Sequence, residues 1–267
     1  MGLDFLAHAY MNEVLAYAVG AAALFGVVAP NSGNQQILVK YGTEEQKQKW
    51  LLPLVEGRME SGFSMTEPHN PGSDPRSLDT LAKRDGDHWV INGHKWFTSN
   101  GIDADFFIVM CRVQDDTGAY GRTGDMAQII VPTATRGVNI VRGIGVWGRS
   151  TSDHCEVIYE NVRVPIDNTL GKVGEGHRAA QDRLGAGRIY HCMNAVGQMW
   201  RAFDLMVERA IQVWGAAGVS NDLPLAAMYQ GARTLRIADG PDEVHKILIA
   251  KNVLARYETG EGWDFGN

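Results

Sequence analysis

The chain has 267 residues, 45% of them hydrophobic and 21% charged, so it can bury one large or two ordinary cores, and disorder is excluded as its main state. Its 25 Lys and Arg against 31 Asp and Glu give a net charge of −6, and no basic run exceeds two residues, which argues against a nucleic-acid binder. Three cysteines at wide spacing, Cys111, Cys155 and Cys192, fit neither a disulfide framework nor a CxxC metal site and point to a reducing compartment.

The most apolar stretch, residues 14–29, is short for a membrane span and reads as a buried helix. No Lys or Arg precedes Lys40, so a secretory signal is not expected. Thr43-Glu-Glu-Gln46 has capping-box form, and residues 46–55 place Trp50, Leu51, Leu54 and Val55 on one side of a helix. From residue 62 to 165 the texture becomes short β-type runs at 88–92, 106–113, 127–131, 138–141, 156–159 and 162–164, divided by Gly, Asn, Asp and Pro. That pattern predicts a small antiparallel barrel or sandwich. Helical texture returns after Gly176, with 177–209 long enough for one extended helix and 244–257 for a last one. The fold class is α+β, in the order α, β, α, with parts at 1–61, 62–166 and 167–267.

Gly143-Ile-Gly145-Val-Trp-Gly148 matches GxGxxG, but a strand-like run follows it where a phosphate-binding helix should begin, so it reads as a glycine-rich turn. No histidine pair has metal-ligand spacing and no GxSxG occurs, so neither a metal site nor a hydrolase elbow is expected. Three other places stand out. Met65-Thr66-Glu67-Pro68 with Gly72-Ser73 is rich in small and hydroxyl residues that leave backbone amides approachable. Residues 93–101 hold Phe97 between hydroxyls, with Asn-Gly turns expected on either side, and by composition form a hairpin edge. In Asp239-Gly240-Pro241-Asp242-Glu243 the proline suits a first helical position, so Asp239 is either a helix-start carboxylate or a base facing a cofactor.

Together and in this order, these places resemble the acyl-CoA dehydrogenase family of FAD flavoproteins. Tyr41-Gly-Thr-Glu-Glu-Gln-Lys47, Ile91-Asn-Gly-His-Lys95, Asn161-Val-Arg-Val-Pro165 and Gly174-Glu-Gly176 carry the same resemblance, which covers nearly the whole chain. Gly187-Arg188-Ile-Tyr-His-Cys192, Gln212-Val-Trp-Gly-Ala-Ala-Gly-Val219 and Ala238-Asp-Gly-Pro-Asp-Glu-Val-His245 are most similar to the branch of family members ten and eleven, where Asp replaces the usual Glu at the base position.

The resemblance implies a helical N-terminal part, a middle β part and a helical C-terminal part that builds a homodimer or homotetramer. It implies that Phe63, Met65, Thr66, Gly72, Ser73, Phe97 and Ser99 line the flavin, and that Gln212, Gly215 and Ala216 meet the adenosine half of FAD. Pro241 and Glu243 fall at a further cofactor contact, where they replace the usual hydroxyl-containing triplet. Arg188 is implied to touch the CoA part of the substrate, with Ser73 and Gly240 also on the substrate side, and Asp239 to be the catalytic base. The chemistry suits these residue types, because a weakly acidic thioester α-proton needs an adjacent carboxylate and hydrogen bonds to the carbonyl oxygen where enolate charge develops.

The implied reaction is α,β-dehydrogenation of an acyl-CoA, long-chain or hydroxylated by its branch, with electrons passed to an electron-transfer flavoprotein. The alternatives are an acyl-CoA oxidase using oxygen, or a non-catalytic remnant acting as a binding or assembly module. The expected location is cytoplasmic in a bacterium and mitochondrial or peroxisomal in a eukaryote. Against the family pattern the opening helices are missing, and Arg209 runs directly into Ile211-Gln212 where a helical hairpin of roughly 60 residues, ~90 Å of helix, is expected. That hairpin is implied to supply an Arg to the FAD pyrophosphate. With no Gly, Asn or Pro to end the first helix, the junction at 209–211 is expected to be a break or deletion and not a native turn.

Overall fold

The structure is a computed structural model and describes residues 5–114, 126–148, 153–205, 207–235, 237–241, 244, 247–248 and 251. Before the sheet come α1 (Phe5–Ala16), α2 (Ala21–Leu24), α3 (Asn31–Tyr41), α4 (Glu44–Gln46), a π-helical turn (Lys47–Leu51) and α5 (Leu52–Val55). The strands are β1 (Ser61–Ser64), β2 (Leu81–Asp85), β3 (His88–Thr98), β4 (Phe106–Gln114), β5 (Met126–Pro132), β6 (Val138–Gly143), β7 (Cys155–Pro165) and β8 (Thr169–Leu170). Then follow α6 (Gly176–Leu205), α7 (Val207–Trp214), α8 (Ala216–Val219) and α9 (Leu225–Leu235). Two units emerge, residues 20–189 and residues 1–19 with 190–267. Within the first of these, α3, the π-helical turn and α5 pack on the sheet through Ile37, Leu38, Trp50, Leu54, Phe106 and Ile108.

In the first unit the capping box forms as expected. Gln46 N–H donates to Thr43 Oγ1 and Thr43 N–H to Gln46 Oε1, at 3.2 and 3.1 Å. The following turn widens to π just before Pro53, whose missing N–H leaves the carbonyl four residues earlier without its usual donor. The buried helix expected at 14–29 is absent. α1 stops at Ala16, Gly20 and Gly26 adopt φ of +83° and +70°, and Leu24 and Phe25 are exposed. Two left-handed glycines break the run that the apolar composition alone would continue.

Eight strands form one sheet in the order β6-β7-β3-β2-β4-β5-β8, with β1 pairing β4 off that path. Most neighbours are antiparallel, as expected, but β1 and β2 both run parallel to β4. A purely antiparallel sheet misses this because β1 and β2 are joined to their neighbour by crossing segments and not by a hairpin. Along β4, Phe107, Val109 and Cys111 enter a core with Trp89, Ile91, Val157 and Tyr159, while Phe106, Ile108 and Met110 face helix-side clusters. Burial on both faces explains why this strand reads as a continuous apolar run. The expected runs 156–159 and 162–164 fuse into β7, and Asn92-Gly93 is a bulge inside β3 instead of a turn. There a side chain on Gly93 would collide with Thr80, its Cβ lying 2.3 Å from Thr80 Oγ1. Gly143 ends β6, and Trp147 and Gly148 form a turn.

In the second unit α1 buries Ala9, Asn12 and Ala16 on one face, and Gly197 of α6 lets the two backbones approach, since a Cβ there would lie 2.2 Å from the Glu13 carbonyl oxygen. The described residues on either side of 206, which lies outside the described residues, are helical over the expected span 177–209, and α7 runs unbroken through Arg209, Ala210 and Ile211. The break expected at 209–211 is therefore not present; without a Gly, Asn or Pro the residues simply propagate one helix. Gly215 stops it, as expected, at φ +54°. Of the expected helix at 244–257, only Val244, Ile247, Leu248 and Lys251 lie among the described residues, and all four are helical. No helix among the described residues is long and apolar enough to cross a membrane.

Candidate functional site

Two stretches some thirty residues apart lie side by side in the sheet unit. Phe63 bridges Ser99, Trp96 N–H donates to the Thr66 carbonyl at 3.0 Å, and Thr66 Oγ1 donates to the Trp96 carbonyl at 2.8 Å. Below them Tyr159 OH donates to Ser64 Oγ at 2.9 Å, and Ser64 Oγ is 3.0 Å from Thr98 Oγ1. The β3–β7 register slips between Lys95 and Thr98, and within that slip Phe97 takes φ +50°. An aromatic residue at positive φ is strained, and such strain gathers at functional sites. Here it turns Phe97 out to an exposed position, edge-on to Trp96 with ring centroids 5.0 Å apart.

Of the flavin-lining residues expected from the sequence, Met65, Thr66, Phe97 and Ser99 are thus brought together. Gly72 joins them: a Cβ there would touch Thr66 Cγ2 at 3.5 Å, and exposed Ser73 follows it. Phe63 is at the same place by its backbone, but its ring is buried, with the Arg183 guanidinium 3.9 Å from the ring centroid.

Beneath this surface Lys95, fully buried, donates to the Met65 carbonyl at 2.7 Å and to Glu67 Oε1 at 2.9 Å. Glu67 also accepts from Thr80 N–H and Oγ1–H at 2.9 and 2.6 Å, from Asp79 N–H at 2.7 Å and from Asn70 Nδ2 at 2.7 Å. Burial pushes the Glu67 carboxyl up, but the Lys95 charge and the hydrogen bonds from Lys95, Thr80 and Asp79 outweigh it and hold it at about 2. Both residues sit inside sequence motifs that assign neither of them a role. The signal available was an ammonium side chain on an otherwise buried strand, which needs an acid partner.

In the helical unit Asp239 adopts φ +56° and is followed by Gly240 at φ +119°. Ala238 N–H donates to Thr234 O at 3.0 Å, Gly240 N–H to Ile237 O at 3.3 Å, and Val244 N–H to Pro241 O at 2.9 Å. Asp239 therefore occupies a left-handed turn ahead of Pro241. His191 Nε2 lies 2.6 Å from Asp239 Oδ2, and its Nδ1 is buried without a hydrogen-bond partner. Sequence reasoning missed His191, which no spacing rule connects to Asp239. Gln212 is exposed on α7, Gly215 is the left-handed residue between α7 and α8, and Ala216 opens α8. Arg188, on the part of α6 that belongs to the sheet unit, keeps Nε buried and unpartnered and joins no ion pair among the described residues. Glu243 and Asp242 lie outside the described residues. Among the described residues no group of three or more His, Cys, Asp or Glu could hold a metal ion.

Three family profiles match the chain in order: the acyl-CoA dehydrogenase N-terminal domain over residues 1–58, the middle domain over 62–162 and the C-terminal domain over 205–254. The "Probable acyl-CoA dehydrogenase FadE2" of Mycobacterium tuberculosis is 37% identical, over 96% of this chain and 80% of that protein. The chain belongs to the acyl-CoA dehydrogenase family. Its relatives include family member 10 of Mus musculus, 34% identical over 95% of this chain and 30% of that one. Family member 11 of Homo sapiens is 33% identical over 93% and 41%. The chain thus spans less than half the length of these two animal acyl-CoA dehydrogenases. A solved acyl-CoA dehydrogenase structure from Mycobacterium abscessus superimposes with a TM-score of 0.86 at 30% identity, covering 96% of this chain and 81% of that one. One from Bacillus anthracis, solved with FAD, shares the fold at a TM-score of 0.79 and 22% identity, covering 98% and 59%. The alignment with the Mycobacterium tuberculosis acyl-CoA dehydrogenase runs over 330 positions, so at least 63 of them, the excess over 267, face no residue of this chain.

Proposed function

We propose that this chain binds FAD and dehydrogenates the Cα–Cβ bond of an acyl-CoA thioester, passing the electrons to an electron-transfer flavoprotein. The observation that carries the reading is the side-by-side placement of residues 63–66 and 96–99, with Phe97 turned outward under strain and Gly72 against Thr66. These residues fit a flat, polar-edged ring: Phe97 offers an aromatic face, and Thr66 and Ser99 offer hydroxyl or backbone groups. Asp239 would take the α-proton, and FAD held by Met65, Thr66, Phe97 and Ser99 would supply the acceptor for the β-hydride, so that a Cα=Cβ double bond results. Arg188 meets the anionic CoA portion. A substrate that is long-chain or hydroxylated is part of the same proposal. So are a homodimeric or homotetrameric assembly and the division at residues 1–61, 62–166 and 167–267. The purified protein should be yellow, and its flavin band should bleach when acyl-CoA is added without oxygen. A protein that takes up no FAD would sink the reading.

A second reading is favoured by the shortfall of at least 63 alignment positions. In it the chain is a non-catalytic member, because the hairpin expected between Arg209 and Ile211 is replaced by the continuous helix α7. Equilibrium dialysis separates the two: weak FAD binding with no bleaching by acyl-CoA supports the second, and tightly held stoichiometric FAD the first.

A further inference from the structure

The Met65 carbonyl and the Thr66 N–H belong to one peptide unit, which is planar and trans, so they point in opposite directions. Lys95 Nζ grips that carbonyl from the fully buried side at 2.7 Å. The grip turns the Thr66 N–H away from the core. Thr66 spends its carbonyl and its hydroxyl on Trp96, while its N–H donates to no protein acceptor among the described residues. A half-buried, unspent backbone donor is an open position for a ligand acceptor.

Lys95 is itself immobilised. Its second bond goes to Glu67, whose carboxylate closes the loop from Glu67 to Thr80 through Asn70, Asp79 and Thr80. That loop carries Gly72 and Ser73. A buried ion pair is weak grounds for stability, since apolar residues of similar volume often hold a core as well. What an apolar pair cannot do is fix the direction of one peptide. We propose that the buried Lys95–Glu67 pair is a positioning device that aims the Thr66 N–H at the polar edge of the flavin, with Lys95 as the positioning residue. This rests on the flavin reading above.

The test uses the full chain with FAD removed, and compares wild type with Glu67→Leu/Lys95→Met, which removes both charges together. Thermal unfolding of the flavin-free protein and FAD affinity by titration are read in parallel. FAD should bind about tenfold more weakly, the worth of one hydrogen bond, while the flavin-free melting temperature stays near that of wild type. The absorption band of the FAD that does bind should also move, because a donor at the ring edge is lost. A second pair, Glu67→Gln/Lys95→Met, keeps one acceptor oxygen, enough for the Thr80 donors or for Asp79 N–H, and guards against a variant that does not fold. FAD affinity within twofold of wild type in either folded variant overturns the proposal. Failure of both variants to fold also overturns it, since the pair then serves folding. A wild-type chain that binds no FAD overturns the flavin reading itself, whereas wild-type binding with unaltered variants overturns only the role of Lys95.

Discussion

His191 Nε2 approaches Asp239 Oδ2 to 2.6 Å, which ties the left-handed turn at Asp239 to the middle of α6. The contact requires a proton on Nε2, supplied by that tautomer or by the imidazolium. If Asp239 is the base, Asp239→Asn abolishes flavin reduction by acyl-CoA with FAD content unchanged, because the amide keeps the size but takes no proton. The expected loss is at least the ~10²–10⁴-fold of a positioned base. Anaerobic stopped-flow bleaching at the parent rate would place the base elsewhere.

His191→Leu removes the hydrogen bond that holds this carboxylate. Flavin reduction should slow about tenfold, in line with the loss of one hydrogen bond to a charged group, and His191→Gln should recover part of the rate. Equal rates in all three proteins would show that the contact does not position Asp239.

Glu67 sets an acid limit on stability. Its carboxyl is held at about 2 against an ordinary 4.5, so the folded state gains stability that is complete above 4.5 and is lost as pH falls toward 2. The difference is worth about 3 kcal/mol. Melting temperature should therefore fall steeply over that window, and Glu67→Leu/Lys95→Met should flatten the fall. An unchanged pH profile in the double variant would assign the acid lability to other groups.

Gly93→Ala forces a Cβ to within 2.3 Å of Thr80 Oγ1, and Thr80 is one of the donors to Glu67. Overpacking of this kind costs about 1–3 kcal/mol. Differential scanning calorimetry should record the loss, together with weaker FAD binding, and no positive φ contributes to it, since Gly93 lies outside that region.

One thiol of three should react with a thiol reagent in the native protein. Cys111 and Cys155 are buried and burial pushes both up to about 12, whereas Cys192 is exposed. Two or three fast-reacting thiols before unfolding would contradict the buried placement of β4 and β7.

The sequence by itself determined the order of helical, sheet and helical parts, the capping box at Thr43 and Gln46, the centres of β3 to β7 and the stop at Gly215. Each depends on periodicity or turn chemistry within a few residues, which the chain states locally. Only the tertiary structure decided the rest. β1, with four buried residues and no alternation, and β2, with three exposed ones, become strands because β4 offers both a partner. The bulges at Gly93 and Phe97 follow from the register of β7, and the pairing of Lys95 with Glu67 and of His191 with Asp239 from contacts across long stretches of chain. A local pattern specifies which face a residue presents, while its partner is chosen by packing that no single segment contains.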